Sequence, residues 1–193
     1  MRPTKWIVIE GLDGTGKTSI SKGIASRLEN SIISPSPDQN ARSLFDVCSN
    51  PIRRSFYFLW NSVTKEFALN QLALGKNVIT DRWLCSTIAY MNCMDIVVDE
   101  VSQSLITFNK CYPTDRMPDI TVYLHTDQKT RIERLKQRDG IQHTKEEIAL
   151  FDSQTQELLH QEFLKQGSFD LIIDTSDLTI EQVLDCILRE ILK

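Results

Sequence analysis

Short runs of β-branched and other apolar residues alternate along this chain with longer stretches in which apolar positions recur at intervals of three and four. The short runs predict strands at residues 6–9, 31–33, 77–80, 120–124 and 171–173. The longer stretches predict helices at about 17–29, 52–74, 99–110, 127–138, 144–165 and 179–192. Strand and helix in alternation is the pattern of βαβ units, so the expected fold is α/β with a five-stranded parallel sheet. Several strands are apolar at nearly every position, which places the sheet in the middle with helices on both faces. Gly75 falls where a helix C-cap is needed, and Pro35 with Pro37, then Pro113 with Pro118, mark two irregular stretches. No repeat, low-complexity tract or linker divides the 193 residues, and the expectation is one domain over 1–193.

Composition narrows the function classes. Apolar residues make up 41% and charged residues 25% of the chain, the balance of a globular protein. A net charge of −4 offers no general basic field, which argues against nucleic acid as a partner; any phosphate must be gripped locally. Five cysteines show neither CxxC pairs nor zinc-finger spacing, so they read as reduced thiols in an intracellular, most simply cytoplasmic, setting. No apolar run reaches the ~20 residues that span a bilayer, so no membrane is expected. The start MRPTKW shows no signal or transit sequence; a mitochondrial location would need a targeting segment that this sequence does not carry. The three histidines, at 125, 143 and 160, lack ligand spacing, which argues against a protein-built zinc site.

The most specific chemistry lies in Gly11-Leu12-Asp13-Gly14-Thr15-Gly16-Lys17-Thr18, a full GxxxxGK(S/T) match between a predicted strand and a predicted helix. Glycines at 11, 14 and 16 let backbone N–H groups turn inward on a phosphate, and the helix N-terminus at Thr18 and Ser19 adds positive potential. Lys17 is placed to bridge the β- and γ-phosphates of ATP, and the Thr18 hydroxyl to ligate Mg²⁺; Asp13, Thr15 and Ser19 complete the ATP-binding set. A glycine-rich turn without function is the alternative. The guanine-reading NKxD motif is missing, because Asn109-Lys110 is followed by Cys111 and Tyr112, which disfavours a GTPase. The chain length leaves little for the coupling elements of a motor, and a small-molecule kinase is the leading reading.

Asp81-Arg82 follows the strand at 77–80. A carboxylate at the end of a parallel strand beside the P-loop strand can organise a metal, and the arginine can grip an acceptor phosphate; a local salt bridge or helix cap is the structural alternative. Arg131, Arg134 and Arg138 share one helical face and lead into a short polar segment, giving a candidate lid at about 138–145. Lid arginines would close over the transferred phosphate once ATP is bound; a solvated basic face paired with Glu133, Glu146 and Glu147 is the alternative.

IEGLDGTGKT, NVITDRWLCSTIAY and the MPDITVYL strand with its arginine-rich continuation together resemble the thymidylate kinase family of P-loop nucleoside monophosphate kinases, over nearly the whole chain. The resemblance implies a three-layer P-loop kinase fold with a short lid. It implies that Asp13 contacts the sugar of the acceptor, that Asp81 serves Mg²⁺, and that Arg82 and Arg42 hold the acceptor phosphate. It also implies base-pocket roles for Tyr57, Asn61, Ser86 and Tyr90, and an adenine-side loop at Thr175. Phe56, Phe58 and Trp60 accompany Tyr57 on one helix, where core packing is the competing role. Position 14 is glycine where one branch of the family has arginine, so the resemblance moves the catalytic arginine to the lid, at Arg134 and Arg138. Asn61 stands where thymidylate kinases commonly carry arginine, and Ala89-Tyr90-Met91-Asn92 replaces their AYQG. RRSFYFLWN, Arg42 and HTKEEIAL are more similar to the thymidylate-kinase-like domain of mitochondrial UMP/CMP kinase.

The resulting expectation is phosphate transfer from Mg-ATP to a pyrimidine nucleoside 5′-monophosphate: dTMP, or dUMP, dCMP, UMP and CMP. Lys17, Asp81, Arg82, Arg134 and Arg138 form the catalytic set, and a homodimer is implied by the resemblance. A kinase for a nucleoside or other hydroxyl compound, and a catalytically silent regulatory module, are the rival readings.

Overall fold

A computed structural model describes residues 3–93, 100–138, 153–166 and 169–193. In chain order the elements are β1 (Trp6–Gly11), α1 (Lys17–Arg27), β2 (Ser31–Ile33), α2 (Gln39–Asp46), α3 (Asn50–Ala73), β3 (Asn77–Asp81), α4 (Leu84–Cys93) and α5 (Glu100–Cys111). They continue with β4 (Ile120–His125), α6 (Gln128–Arg138), α7 (Ser153–Gln166), β5 (Leu171–Asp174) and α8 (Ile180–Ile191). Residues 139–145 of the expected lid and the first residues of the helix expected at 144–165 lie outside the described residues.

All five expected strands form, and they pair in parallel in the order β2-β3-β1-β4-β5. Side chains alternate across a strand, and the central one shows what that does here. Ile7 and Ile9 face α1 and α8 with Ile20, Ile24, Leu184 and Ile187, whereas Trp6 and Val8 face α3 and α4 with Phe58, Leu84 and Met91. Each such side chain withdrawn from water stabilises the fold by about 1.5–3 kcal/mol, so the sheet is held chiefly from its two faces. A third cluster, Leu12, Ala89, Tyr123, Leu159 and Phe163, packs α7 against the P-loop and α4. β1 lies between β3 and β4, so its C-terminal end opens into the crevice where strand order reverses, and the P-loop begins there.

Local signals placed the helix ends well. Gly75, at φ +76°, closes α3 with a paired cap in which Lys76 N–H donates to the Gln71 carbonyl and Gly75 N–H to that of Leu72. Thr179 and Gln182 cap α8 reciprocally. Two helices went unpredicted. α2, capped by the Asp38 carboxylate on Ala41 N–H, spans eight residues and buries none of them, so its apolar positions Ala41, Leu44 and Phe45 cover too short a stretch for periodicity to mark. α4 fails for a different reason: Leu84, Ile88, Ala89 and Met91 are buried along with Ser86, and its first turn is capped from another strand.

Candidate active site

The P-loop leaves β1 at Gly11 and turns back on the Leu12 carbonyl, which accepts from the Thr15 hydroxyl at 2.9 Å and from Lys17 Nζ at 2.6 Å. Gly14 takes φ +85°, and a Cβ there would lie 2.7 Å from Cγ of Arg131, so α6 sits directly on this turn. Gly16 is the N-cap of α1 and provides no side-chain hydrogen bond, which leaves the N–H groups of the first turn for an anion. Lys17 is only 6% exposed; burial and the Arg82 charge lower its pKa to about 8 against the attraction of Asp13, Asp81 and Glu10.

Opposite Lys17, at the end of β3, the Thr18 hydroxyl donates to Asp81 Oδ2 at 2.7 Å. Arg82 follows in the left-handed region, φ +70°, and its Nη2 lies 2.7 Å from Asp13 Oδ1. The Tyr90 ring lies beneath this guanidinium, 5.3 Å from ring centroid to Cζ, and the Tyr90 hydroxyl reaches Asp13 Oδ2 at 3.4 Å. Asp13 keeps half of its accessible area because the cleft is open, although the walls surround it. Burial would raise its pKa, and the Arg82 and Lys17 charges outweigh that and hold the carboxyl well below the usual range. Burial pushes the Tyr90 hydroxyl up to about 12.

One cleft of about 620 Å³ joins Asp13, Lys17, Thr18, Asp81 and Arg82, and it is also lined by Ser19, Ser36, Arg42, Arg134 and Thr175, whereas Tyr90 lies behind Arg82. Arg42 is steered by Nε donating to the Pro37 carbonyl at 3.0 Å. Arg134 spans from α6 to the loop after β5, donating to the Thr175 hydroxyl at 2.9 Å and the Thr175 carbonyl at 2.7 Å. Arg131 is buried to 2% exposure, with Nη1 3.4 Å from the Asp13 carbonyl; the sequence pattern had put it on the same face as Arg134 without favouring it. Arg138 ends α6, and its side chain lies outside the described residues.

Three other expected site residues, Tyr57, Asn61 and Ser86, stand elsewhere. Tyr57 bonds Asp46 at 3.3 Å across α2 and α3, while Phe56 stacks on Phe45 at 4.0 Å and Phe58 belongs to the core. Asn61 is buried: Nδ2 donates to Thr87 Oγ1 at 2.9 Å, and its backbone carbonyl accepts from the Trp83 indole at 3.0 Å. The Ser86 hydroxyl is directed at the Glu10 carboxylate rather than at the cleft. Glu10, buried behind the cleft and bonded to Ser86, was not singled out, although a single acid in an otherwise apolar strand was a signal that could have found it. Ser36, in the loop between the two prolines, carried no such signal.

A P-loop on the central strand of a parallel sheet, with cations converging from both sides of one open cleft, defines an α/β phosphate-handling protein of the P-loop class. The thymidylate kinase profile matches residues 9–187, and the chain belongs to that family. Across 97% of its length it is 27% identical to a probable thymidylate kinase of Methanococcus maripaludis, covering 95% of that protein. It is also 27% identical to the thymidylate kinase of Campylobacter concisus, over 89% of this chain and 91% of the relative. In fold it matches the thymidylate kinase of Candida albicans with a TM-score of 0.71 at 22% identity, covering 98% of this chain and 91% of that one. A deoxyadenosine kinase from M. mycoides superposes with a TM-score of 0.69 at 23% identity, over 96% and 98% of the two chains. Family membership makes the protein a nucleoside monophosphate kinase with ATP as phosphoryl donor. No helix among the described residues is long and apolar enough to cross a membrane.

Proposed function

We propose that this kinase takes pyrimidine nucleoside 5′-monophosphates, either dTMP or its uracil and cytosine counterparts, as acceptors. The observation that carries the reading is the placing of two cations in one cleft, Lys17 on the P-loop and Arg82 after β3, with the Asp13 carboxylate bonded to Arg82. In this reading Lys17 and the P-loop amides hold the ATP phosphates, and Arg82 with Arg42 holds the acceptor phosphate. Asp13 and Tyr90 take the sugar side. Arg134, with Arg138, supplies charge over the transferring group, and Thr175 borders the adenine. Phosphoryl transfer then depends on positioning and charge stabilisation rather than on a covalent intermediate.

The residues fit Mg²⁺. Thr18 and Asp81 present two hard oxygens side by side, too few for an all-protein cage and suited to an ion that takes its other ligands from phosphates and water. Such an ion would neutralise charge on the phosphates. We also propose a single domain acting as a homodimer through α3, where Ile52, Leu59 and Val63 are exposed on one side of the helix. The free thiols support an intracellular setting, and nothing in the bacterial and archaeal relatives favours a mitochondrial one.

ADP release from Mg-ATP, measured with dTMP, dUMP, dCMP, UMP, CMP, AMP, GMP and free thymidine, tests the acceptor assignment. Turnover is expected with the pyrimidine monophosphates and not with the purines or thymidine. Preference for AMP, GMP or the unphosphorylated nucleoside refutes it.

A further inference from the structure

We infer that Glu10 is a positioning residue for the acceptor side of the cleft: acting with Ser86, it fixes both the backbone and the guanidinium of Arg82. The inference rests on the reading of Arg82 as the grip on the acceptor phosphate.

Glu10 is fully buried in the strand that feeds the P-loop, where an unpaired carboxylate would be strongly disfavoured. Its partners come from one short segment. Oε1 accepts from Trp83 N–H at 3.0 Å and from Ser86 N–H at 3.4 Å, and Oε2 accepts from the Ser86 hydroxyl. The carboxylate therefore caps the first turn of α4 from a distance of more than seventy residues in sequence, a task that the Trp83 side chain cannot perform. Burial raises the Glu10 pKa, and the Ser86 hydroxyl, the Arg82 charge and the two N–H groups oppose that rise.

Arg82 lies just before this cap and has a left-handed backbone, which costs a non-glycine residue energy unless its surroundings enforce it. Two adjacent residues of β1 enforce it. The Ile9 carbonyl holds Arg82 N–H at 3.0 Å, and the Glu10 carboxylate holds the next N–H, that of Trp83. The side chain is held by the same network: Arg82 Nη1 donates to Ser86 Oγ at 3.3 Å, and the hydroxyl proton of Ser86 points to Glu10. Glu10, Ser86, Arg82 and Asp13 thus form one chain of hydrogen bonds ending in the cleft. Neutralising Glu10 weakens the acceptor properties of Ser86 and loosens the peptide after Arg82 together.

Steady-state kinetics of the full chain, varying monophosphate and ATP separately, test this with Glu10→Gln, Ser86→Ala, Arg82→Met and the two doubles containing Arg82→Met. Glu10→Gln should raise KM for the monophosphate about tenfold and Ser86→Ala about threefold, the scale of one charge-assisted and one neutral hydrogen bond. KM for ATP should stay within about twofold in both, and in the Arg82→Met background neither change should raise the acceptor KM further. The inference is overturned if Arg82→Met raises the acceptor KM while the other two single variants leave it unchanged. It is equally overturned if their effects add in full to that of Arg82→Met, since Glu10 would then act on the fold at large. An Arg82→Met variant with unchanged acceptor KM would refute the reading of Arg82 itself, and the inference with it. Should Glu10→Gln fail to fold, the cycle of Ser86→Ala with Arg82→Met separates the same outcomes by itself.

Discussion

The cleft holds a cation on each side, and the two are anchored by different means. Lys17 is fixed by backbone: its ammonium rests on the Leu12 carbonyl, inside a loop whose shape comes from the glycines around it. Arg82 is fixed by side chains from separate parts of the chain, namely Asp13 of the P-loop, Ser86 and Tyr90 of α4, and behind them Glu10 of β1. A backbone cradle suits a ligand whose phosphates never vary. Side-chain anchoring can be retuned one residue at a time, which would suit the acceptor side proposed for Arg82. The difference also predicts where substitutions will act.

The largest effect is expected on the backbone side. Lys17→Met keeps the length of the side chain and removes its charge, and kcat should fall roughly a thousandfold with each acceptor alike, as expected when a phosphate-stabilising cation is lost. Thermal unfolding should show no loss of stability, because burial already disfavours the charged form of Lys17. A fall confined to one acceptor, or one smaller than tenfold, would mean that Lys17 does not serve the shared donor.

Gly14→Ala acts on the cradle without touching a charge. The new Cβ would meet Cγ of Arg131 at 2.7 Å and its carbonyl at 3.0 Å, on a backbone at φ +85°. A stability loss of about 1–3 kcal/mol is expected from strain and crowding, read as a lower denaturant midpoint. ATP affinity should weaken more than monophosphate affinity if, as proposed, the loop that deforms holds the donor. The reverse order would place the coupling of α6 to the P-loop on the acceptor side.

The same contrast decides what could be read from the sequence. The P-loop was legible because eight consecutive residues carry both the turn and the chemistry, and Asp81-Arg82 because a strand end announced it. The strands were legible because β1 and β4 are apolar over most of their length and β3 is centred on the β-branched run Val78-Ile79-Thr80. The Glu10–Ser86 bond was not legible: it joins positions 76 residues apart, and Ser86 at its spacing looked like a pocket residue. α2 was lost because Ala41, Leu44 and Phe45 mark a helix of only eight residues, and α4 because its cap comes from β1 rather than from its own first residues. Tyr57 and Asn61 were placed by resemblance, and a matching position does not say which way a half-buried helix turns its polar groups.

Asn61 gives the smallest expected effect and the finest test of the side-chain half. Its amide is 5% exposed and donates to Thr87, so it can meet a base only by giving up that bond. Asn61→Ala leaves the Thr87 hydroxyl short of a partner, and a stability loss of about 1 kcal/mol is expected. If the amide stays on Thr87 during turnover, the ratios of kcat/KM among dTMP, dUMP and dCMP should stay within about twofold of the parent's, since removal of a direct base contact shifts such ratios much further. A tenfold shift would show that Asn61 turns to the base when the acceptor binds. The acceptor half would then be anchored one way when empty and another when filled, a freedom that Lys17 on its backbone cradle does not have.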